Sequence, residues 1–315
     1  MNEDRISPRS NGKMQTDSGF YSYHLPPSMA LSVPQHEHEE VEALRREKLE
    51  LHAQLSEAAQ IQRKLSGPRE SHIGSLQFAS EVFAASLLSG DFITILQNGR
   101  ANESKVLAVH GDIAGKGVAA GMWFTNLAGH LQSYSHQDAD TAKIAAAVNR
   151  QLCNLRPVAP FVTAFLAQID CDLGKVTYCN AGHFPPILFR RNGQTVMLDK
   201  GGPLLGAIES AEFHTDELTL NPGDMLVAYS DGVLECRNVA GEEFGIDRIV
   251  DALRQAEQQS AQATLMMLLA TLQDFANGSP LCDDVSLTVI RRDLQLGTPL
   301  HLLDGLVMAS TERVS

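Results

Sequence analysis

Residues 106–120 read Val106-Leu107-Ala108-Val109-His110-Gly111-Asp112-Ile113-Ala114-Gly115-Lys116-Gly117-Val118-Ala119-Ala120. An apolar run meets an acid beside a glycine, and a helical pattern opens at Val118. Gly115 to Ala120 satisfies G-x-G-x-x-A, the turn that holds a dinucleotide pyrophosphate when it joins strand to helix in a βαβ unit. The chain beyond it speaks against that unit. Val118 to Ser135 is followed by a second helical stretch, Ala139 to Leu155, and not by the parallel strand that would carry a ribose-binding acid. A P-loop fails on spacing, because Gly111 to Gly115 is one residue short and Lys116 precedes Gly117, where Ser or Thr is needed. The glycines are expected instead to turn the chain tightly beside Asp112.

Outward from this stretch, apolar runs read as strands at Phe92 to Leu96, Val106 to Val109, Phe161 to Leu166, Val176 to Cys179, Met225 to Tyr229 and Val285 to Ile290. Asp172-Leu173-Gly174 and Arg191-Asn192-Gly193 are turn signals between strand pairs, which predicts hairpins and antiparallel sheet. Helical patterns come in neighbouring pairs: Val118 to Ser135 with Ala139 to Leu155, and Ile246 to Gln255 with Ala261 to Phe275. Strands and helices do not alternate, so the expectation is one α+β domain from about 70 to 292.

At 315 residues and 43% hydrophobic content, the chain can bury the core of one large domain or two smaller ones. A net charge of −13 with no Lys/Arg-rich block argues against a general nucleic-acid surface and leaves a protein partner or small substrate. Cys153, Cys171, Cys179, Cys236 and Cys282 are odd in number and form no C-x-x-C pair, so they read as reduced core residues of a cytoplasmic protein. No apolar run reaches about 18 residues, and Met1 to Gln15 is polar, so neither a membrane span nor a signal peptide is expected.

Residues 1–35, rich in Ser, Pro, Asn and Gly, read as a disordered segment. Residues 36–66 read as a helix stopped by Gly67-Pro68. Val41, Leu44, Lys48, Leu51, Leu55, Ala58, Gln62 and Leu65 alternate steps of three and four. That spacing suits a parallel coiled coil joining two copies, or an amphipathic helix packed on its own domain. Residues 293–315 read as a tail.

Four acidic clusters lie at the edges of strand-like runs: Ser89-Gly90-Asp91, Gly111-Asp112, Ser230-Asp231-Gly232 and Cys282-Asp283-Asp284. Two carboxylates about 4 Å apart repel by roughly 4 kcal/mol at an effective dielectric near 20, so gathering several calls for positive charge between them. Oxygen ligands with bound water suit Mg²⁺ or Mn²⁺; zinc would call on His and Cys.

Gly111-Asp112-Ile113-Ala114-Gly115-Lys116-Gly117, Asn180-Ala181-Gly182-His183-Phe184-Pro185-Pro186, Gly201-Gly202-Pro203-Leu204-Leu205-Gly206, Tyr229-Ser230-Asp231-Gly232-Val233-Leu234-Glu235 and Asp283-Asp284-Val285-Ser286 occur in this order. Their order resembles that of the bacterial metal-dependent protein serine phosphatases of the SpoIIE/RsbU branch, over about residues 67–292. The resemblance implies a type 2C-like αββα sandwich of two antiparallel sheets flanked by helix pairs, preceded by a regulatory linker helix. It also implies two or more Mn²⁺ or Mg²⁺ ions held by Asp91, Asp112 with the Ile113 carbonyl, Asp231 and Asp283, with Asp112 and Asp231 central to catalysis. Either member of the Asp283-Asp284 pair could reach the metal, and register with the family favours Asp283. His183 invites a general-acid role, although in the family pattern its run is mainly structural.

Two departures from the family pattern stand out. Ser89-Gly90-Asp91 replaces the usual Gly-Gly-Asp, and Ile93-Thr94 replaces an aromatic-acid pair. The implied substrate is a phosphoserine or phosphothreonine on a small partner protein, typically an anti-sigma factor antagonist. No Cys-x₅-Arg loop is present, so no covalent phospho-enzyme is expected. The competing class is a catalytically silent phosphatase fold that binds or scaffolds a partner.

Overall fold

The computed structural model describes residues 35–97, 104–135 and 140–294. The expected N-terminal disorder, apart from residue 35, and the tail beyond residue 294 lie outside the described residues. The chain divides into two compact units, residues 1–49 and 50–315. The described part of the first is the opening of helix α1 (Gln35–Leu65). Along α1, Val41, Leu44 and Leu51 are exposed, whereas Ala59 near its end is buried and Gln62 is half-buried. Gly67, at φ +86°, follows and turns the chain away.

The second unit continues with β1 (Glu70–Ile73), β2 (Leu76–Phe83), β3 (Asp91–Gln97), β4 (Lys105–Ile113), α2 (Val118–Ser135), α3 (Thr141–Asn154), β5 (Val162–Asp170) and β6 (Lys175–Ala181). Then come β7 (Ile187–Phe189), β8 (Thr195–Met197), β9 (Gly201–Gly202), β10 (Asp216–Thr219), β11 (Met225–Tyr229), α4 (Asp231–Leu234), α5 (Gly245–Gln255), α6 (Ala261–Ala276) and β12 (Val285–Arg292). One sheet has the order β1-β2-β12-β11-β7-β8 and the other β10-β6-β5-β4-β3. Pairing is antiparallel throughout except for β9, which lies parallel to β6.

Each strand face has its own layer to fill. Leu76, Phe78, Leu226 and Ile290 of one sheet meet Ile93, Phe165, Ile169 and Val176 of the other. On the outer faces, Phe92, Val109 and Leu166 pack under Phe124, Leu127 and Ile144 of the α2–α3 pair. Val227, Leu287 and Val289 pack under Leu253, Leu265 and Leu268 of the α5–α6 pair. The result is the expected αββα sandwich. Burial on both faces explains why the central strands read as continuous apolar runs: every residue of β11 and β12 is buried.

Helix starts follow capping chemistry. Asp140 accepts a hydrogen bond from the Ala142 N–H at the head of α3, and Ser260 from the Ala263 N–H at the head of α6. One expectation is corrected: all five cysteines are free, but only Cys171 and Cys179 are buried, while Cys282 is exposed in a loop.

Candidate metal centre

Asp91 opens β3 and Asp112 lies next to the end of β4, directly opposite in the antiparallel register. Such close approach of two acid-bearing strand ends needs a residue with no side chain. A Cβ on Gly90 would lie 2.8 Å from the Ile113 carbonyl oxygen and 3.1 Å from Asp112 Oδ1. Ile113 N–H closes the corner by donating to the Gly90 carbonyl at 3.1 Å. Asp231 begins α4, and its Oδ1 accepts from the Gly232 N–H at 2.8 Å. Gly232 is equally constrained, because a Cβ there would overlap the Asp284 carbonyl at 1.9 Å. That contact ties α4 to the loop preceding β12.

The two neighbouring acids of this loop have different jobs. Asp284 is buried and accepts from the Ala85 N–H, the Ser89 hydroxyl and the Gly90 N–H, each at 2.7 Å. Its lone pairs are spent on the chain that presents Asp91. Asp283 is half-exposed and pairs at 3.0 Å with the Lys116 ammonium, which also approaches the Cys282 carbonyl at 3.5 Å. Gln62 of α1 reaches the same chain, its side-chain N–H donating to the Ser89 carbonyl at 2.7 Å and its Oε1 accepting from the Ser89 N–H at 3.3 Å.

Burial pushes the Asp91 carboxyl up to about 8, with Asp112 and Asp284 adding negative charge and the Ser286 and Ser230 hydroxyls opposing the rise. Burial also raises Asp112 to about 6, reinforced by Asp231, Asp283 and Asp284. Asp231 is raised by burial first and by Asp283. The carboxylates therefore share one field, and Asp91 Oδ2 is buried there with no hydrogen-bond partner. Among the described residues no three His, Cys, Asp or Glu side chains converge closely enough to enclose an ion unaided. An orphaned carboxylate oxygen and several acids spaced around it fit hard cations that keep part of their water.

Beneath the acids lies a polar seam between the sheets. His110 of β4 makes hydrogen bonds to Ser286 Oγ at 2.8 Å and Thr288 Oγ1 at 3.0 Å, both on β12. His183 stacks on it at 5.1 Å and meets Thr163 Oγ1 at 3.0 Å. Burial holds the His183 imidazole down at about 4, so it is neutral near pH 7. The structure sets Asp91 opposite Asp112, with Ile113 at the same strand end, places Asp231 and Asp283 within electrostatic reach of Asp112, and leaves His183 between the sheets. The sequence assigned no role at the acids to Gln62, Ser89, His110 or Ser286, although Gln62 lies in the heptad run and Ser89 and Ser286 lie in the quoted motifs. Their partners lie 27 or more residues away, beyond the reach of a local pattern.

The protein-family model described as Stage II sporulation protein E (SpoIIE) matches residues 102–293. Phosphoserine phosphatase RsbU of Bacillus subtilis (strain 168) is 26% identical over 258 residues, covering 81% of this chain and 75% of that protein. The SiaA-PP2C domain of Pseudomonas aeruginosa superposes with a TM-score of 0.66 at 19% identity, over 78% of this chain and 98% of that one. RsbX, solved in complex with magnesium, superposes with a TM-score of 0.54 at 17% identity, over 71% of this chain and 98% of that one. At these identities the two superpositions speak for the fold alone.

Proposed function

Since the chain belongs to the SpoIIE family, we propose that it is a metal-dependent phosphatase that hydrolyses phosphoserine or phosphothreonine on a partner protein, an anti-sigma factor antagonist in a partner-switching pathway. The observation that carries this is the buried, unpartnered Asp91 Oδ2 beside Asp112, which in turn feels the charges of Asp231 and Asp283. The likeness to the phosphoserine phosphatase RsbU supports the substrate class.

Asp91, Asp112, Asp231 and Asp283, with the Ile113 carbonyl, would hold two or more Mn²⁺ or Mg²⁺ ions; RsbX, of the same fold, was solved with magnesium. When bound, such ions supply charge neutralisation at the phosphoryl oxygens and acidify the attacking water. The chain's own part is placement. Gly90 and Gly232 let the acid-bearing segments approach, Asp284 fixes Ser89-Gly90, and His110 locks β4 to β12 behind Asp112. His183 is held neutral between the sheets, so it is assigned to packing and not to proton donation. No nucleophilic side chain is invoked, and acid-quenched enzyme should carry no phosphorylated residue.

The heptad face of α1, with Val41, Leu44 and Leu51 exposed, is assigned to a homodimer or a docked regulator acting in the cytoplasm. Among the described residues no helix is long and apolar enough to cross a membrane. The deciding experiment is hydrolysis of p-nitrophenyl phosphate with and without Mn²⁺, run beside Asp231→Asn. Turnover that requires Mn²⁺ and drops at least a hundredfold in the variant is expected. Mn²⁺ binding without turnover in the unaltered chain would favour a silent binding module.

A further inference from the structure

The acids of the centre are met by very little positive charge from the protein. Of the groups that act most strongly on Asp91, Asp112 and Asp231 among the described residues, Lys116 is the one cation, and it acts on Asp231. Its ammonium is 3.0 Å from Asp283 Oδ1, at a side chain 59% exposed against 48% for Asp283. An ion pair this open to water is weakly held and easily exchanged.

The turn that carries Lys116 is open on its outer side. Gly115 and Gly117 adopt φ +121° and +69°, and a Cβ on either would meet nothing within 4 Å. The Gly115 carbonyl lies against Gly90, but the outer side of the turn is open, so the Lys116 side chain is directed by its contacts to Asp283 and the Cys282 carbonyl. The turn follows Asp112-Ile113 directly and precedes α2, so the long Lys116 side chain leaves from the rim of the acid field. A phosphate monoester dianion entering that field needs a cationic contact that is not itself consumed in holding metal, and a lysine serves phosphate as a mobile point charge.

We propose that Lys116 is the chain's own contact to the substrate phosphoryl group, held on Asp283 until a divalent cation takes that carboxylate. The inference rests on the metallophosphatase function above. Asp283 Oδ1 meets the Lys116 ammonium at 3.0 Å and accepts from the Asp284 N–H at 2.9 Å, so Lys116 is its one charged partner, and a divalent ion on this carboxylate would cancel the charge that retains Lys116. The released ammonium then lies beside the phosphoryl oxygens. Lys116 accordingly has two opposed effects: it competes with metal and it strengthens phosphate binding.

Both effects are measurable on the full chain with Lys116→Met and Lys116→Arg. Calorimetric titration with Mn²⁺ alone should show Lys116→Met binding severalfold tighter than the unaltered chain, because the competitor for Asp283 is gone. At saturating Mn²⁺, inhibition of p-nitrophenyl phosphate turnover by inorganic phosphate should weaken about tenfold or more, the loss expected for one charge-assisted hydrogen bond. KM should rise more than kcat falls, and Lys116→Arg should restore phosphate inhibition. If the unaltered chain binds Mn²⁺ and turns over while Lys116→Met shows the same Mn²⁺ affinity and phosphate inhibition, the role of Lys116 is refuted alone. If the unaltered chain binds no Mn²⁺, the functional assignment and this inference fall together.

Discussion

Asp283 and Asp284 stand side by side in the sequence and differ only in what surrounds them. Asp284 satisfies three donors in a buried position, so Asp284→Ala strands the Ala85 and Gly90 N–H groups and the Ser89 hydroxyl. Unfolding in urea should show a loss of about 2–4 kcal/mol. Asp283→Ala removes an exposed ion pair and should change stability by less than about 1 kcal/mol while weakening Mn²⁺ binding at least tenfold. The reverse pattern, a stable Asp284→Ala and an unstable Asp283→Ala, would exchange their assignments. Gly90→Ala should retain the fold and lose most Mn²⁺-dependent turnover, because the added methyl pushes on Ile113 O and Asp112 Oδ1. At this scale the acids were legible because each sits at the edge of a strand-like run, three of them beside a glycine. Between Asp283 and Asp284 only register with the family favoured Asp283; the difference in their burial and hydrogen bonding has no local sequence signal.

The central strands and both helix pairs were readable because two-sided burial writes long apolar runs and helices keep their period over several turns. The short and polar strands were not. β2 carries Gln77, Ser80 and Glu81 among its apolar residues, and β10 reads Asp-Glu-Leu-Thr, so pairing with a neighbour and not composition makes them strands. Along the heptad helix Val41, Leu44 and Leu51 are exposed, whereas Ala59 is buried and Gln62 is bonded to Ser89. Gln62 therefore links α1 to the segment that presents Asp91. Gln62→Ala should leave the melting temperature within a few degrees and lower Mn²⁺-dependent turnover severalfold. Unchanged turnover would mean that α1 does not hold the Asp91 segment in its working position.

For the whole molecule, gathering acids between two packed sheets makes stability depend on pH and on metal in opposite directions. Asp91 is raised from an ordinary 3.8 to about 8 and Asp112 to about 6. An acid with a raised folded pKa binds more protons folded than unfolded, so its contribution is complete below about 3.8 and is lost as pH rises through the folded value. The buried histidines act with the other sign. His183 falls from 6.5 to about 4 and His110 is also lowered, so their cost to the fold appears only below about 6.5. Between pH 6.5 and 8 the histidines are neutral in both states and Asp91 dominates. In EDTA the melting temperature should therefore fall across that window. Mn²⁺ binds the ionised carboxylates and not the protonated ones, so the increment it adds to the melting temperature should grow from pH 6.5 to 8. Thermal unfolding followed by circular dichroism at several pH values, in EDTA and in Mn²⁺, measures both slopes. A melting temperature in EDTA that stays level or climbs from pH 6.5 to 8 would show that Asp91 is already ionised in the folded chain, and that its buried oxygen is compensated without a cation.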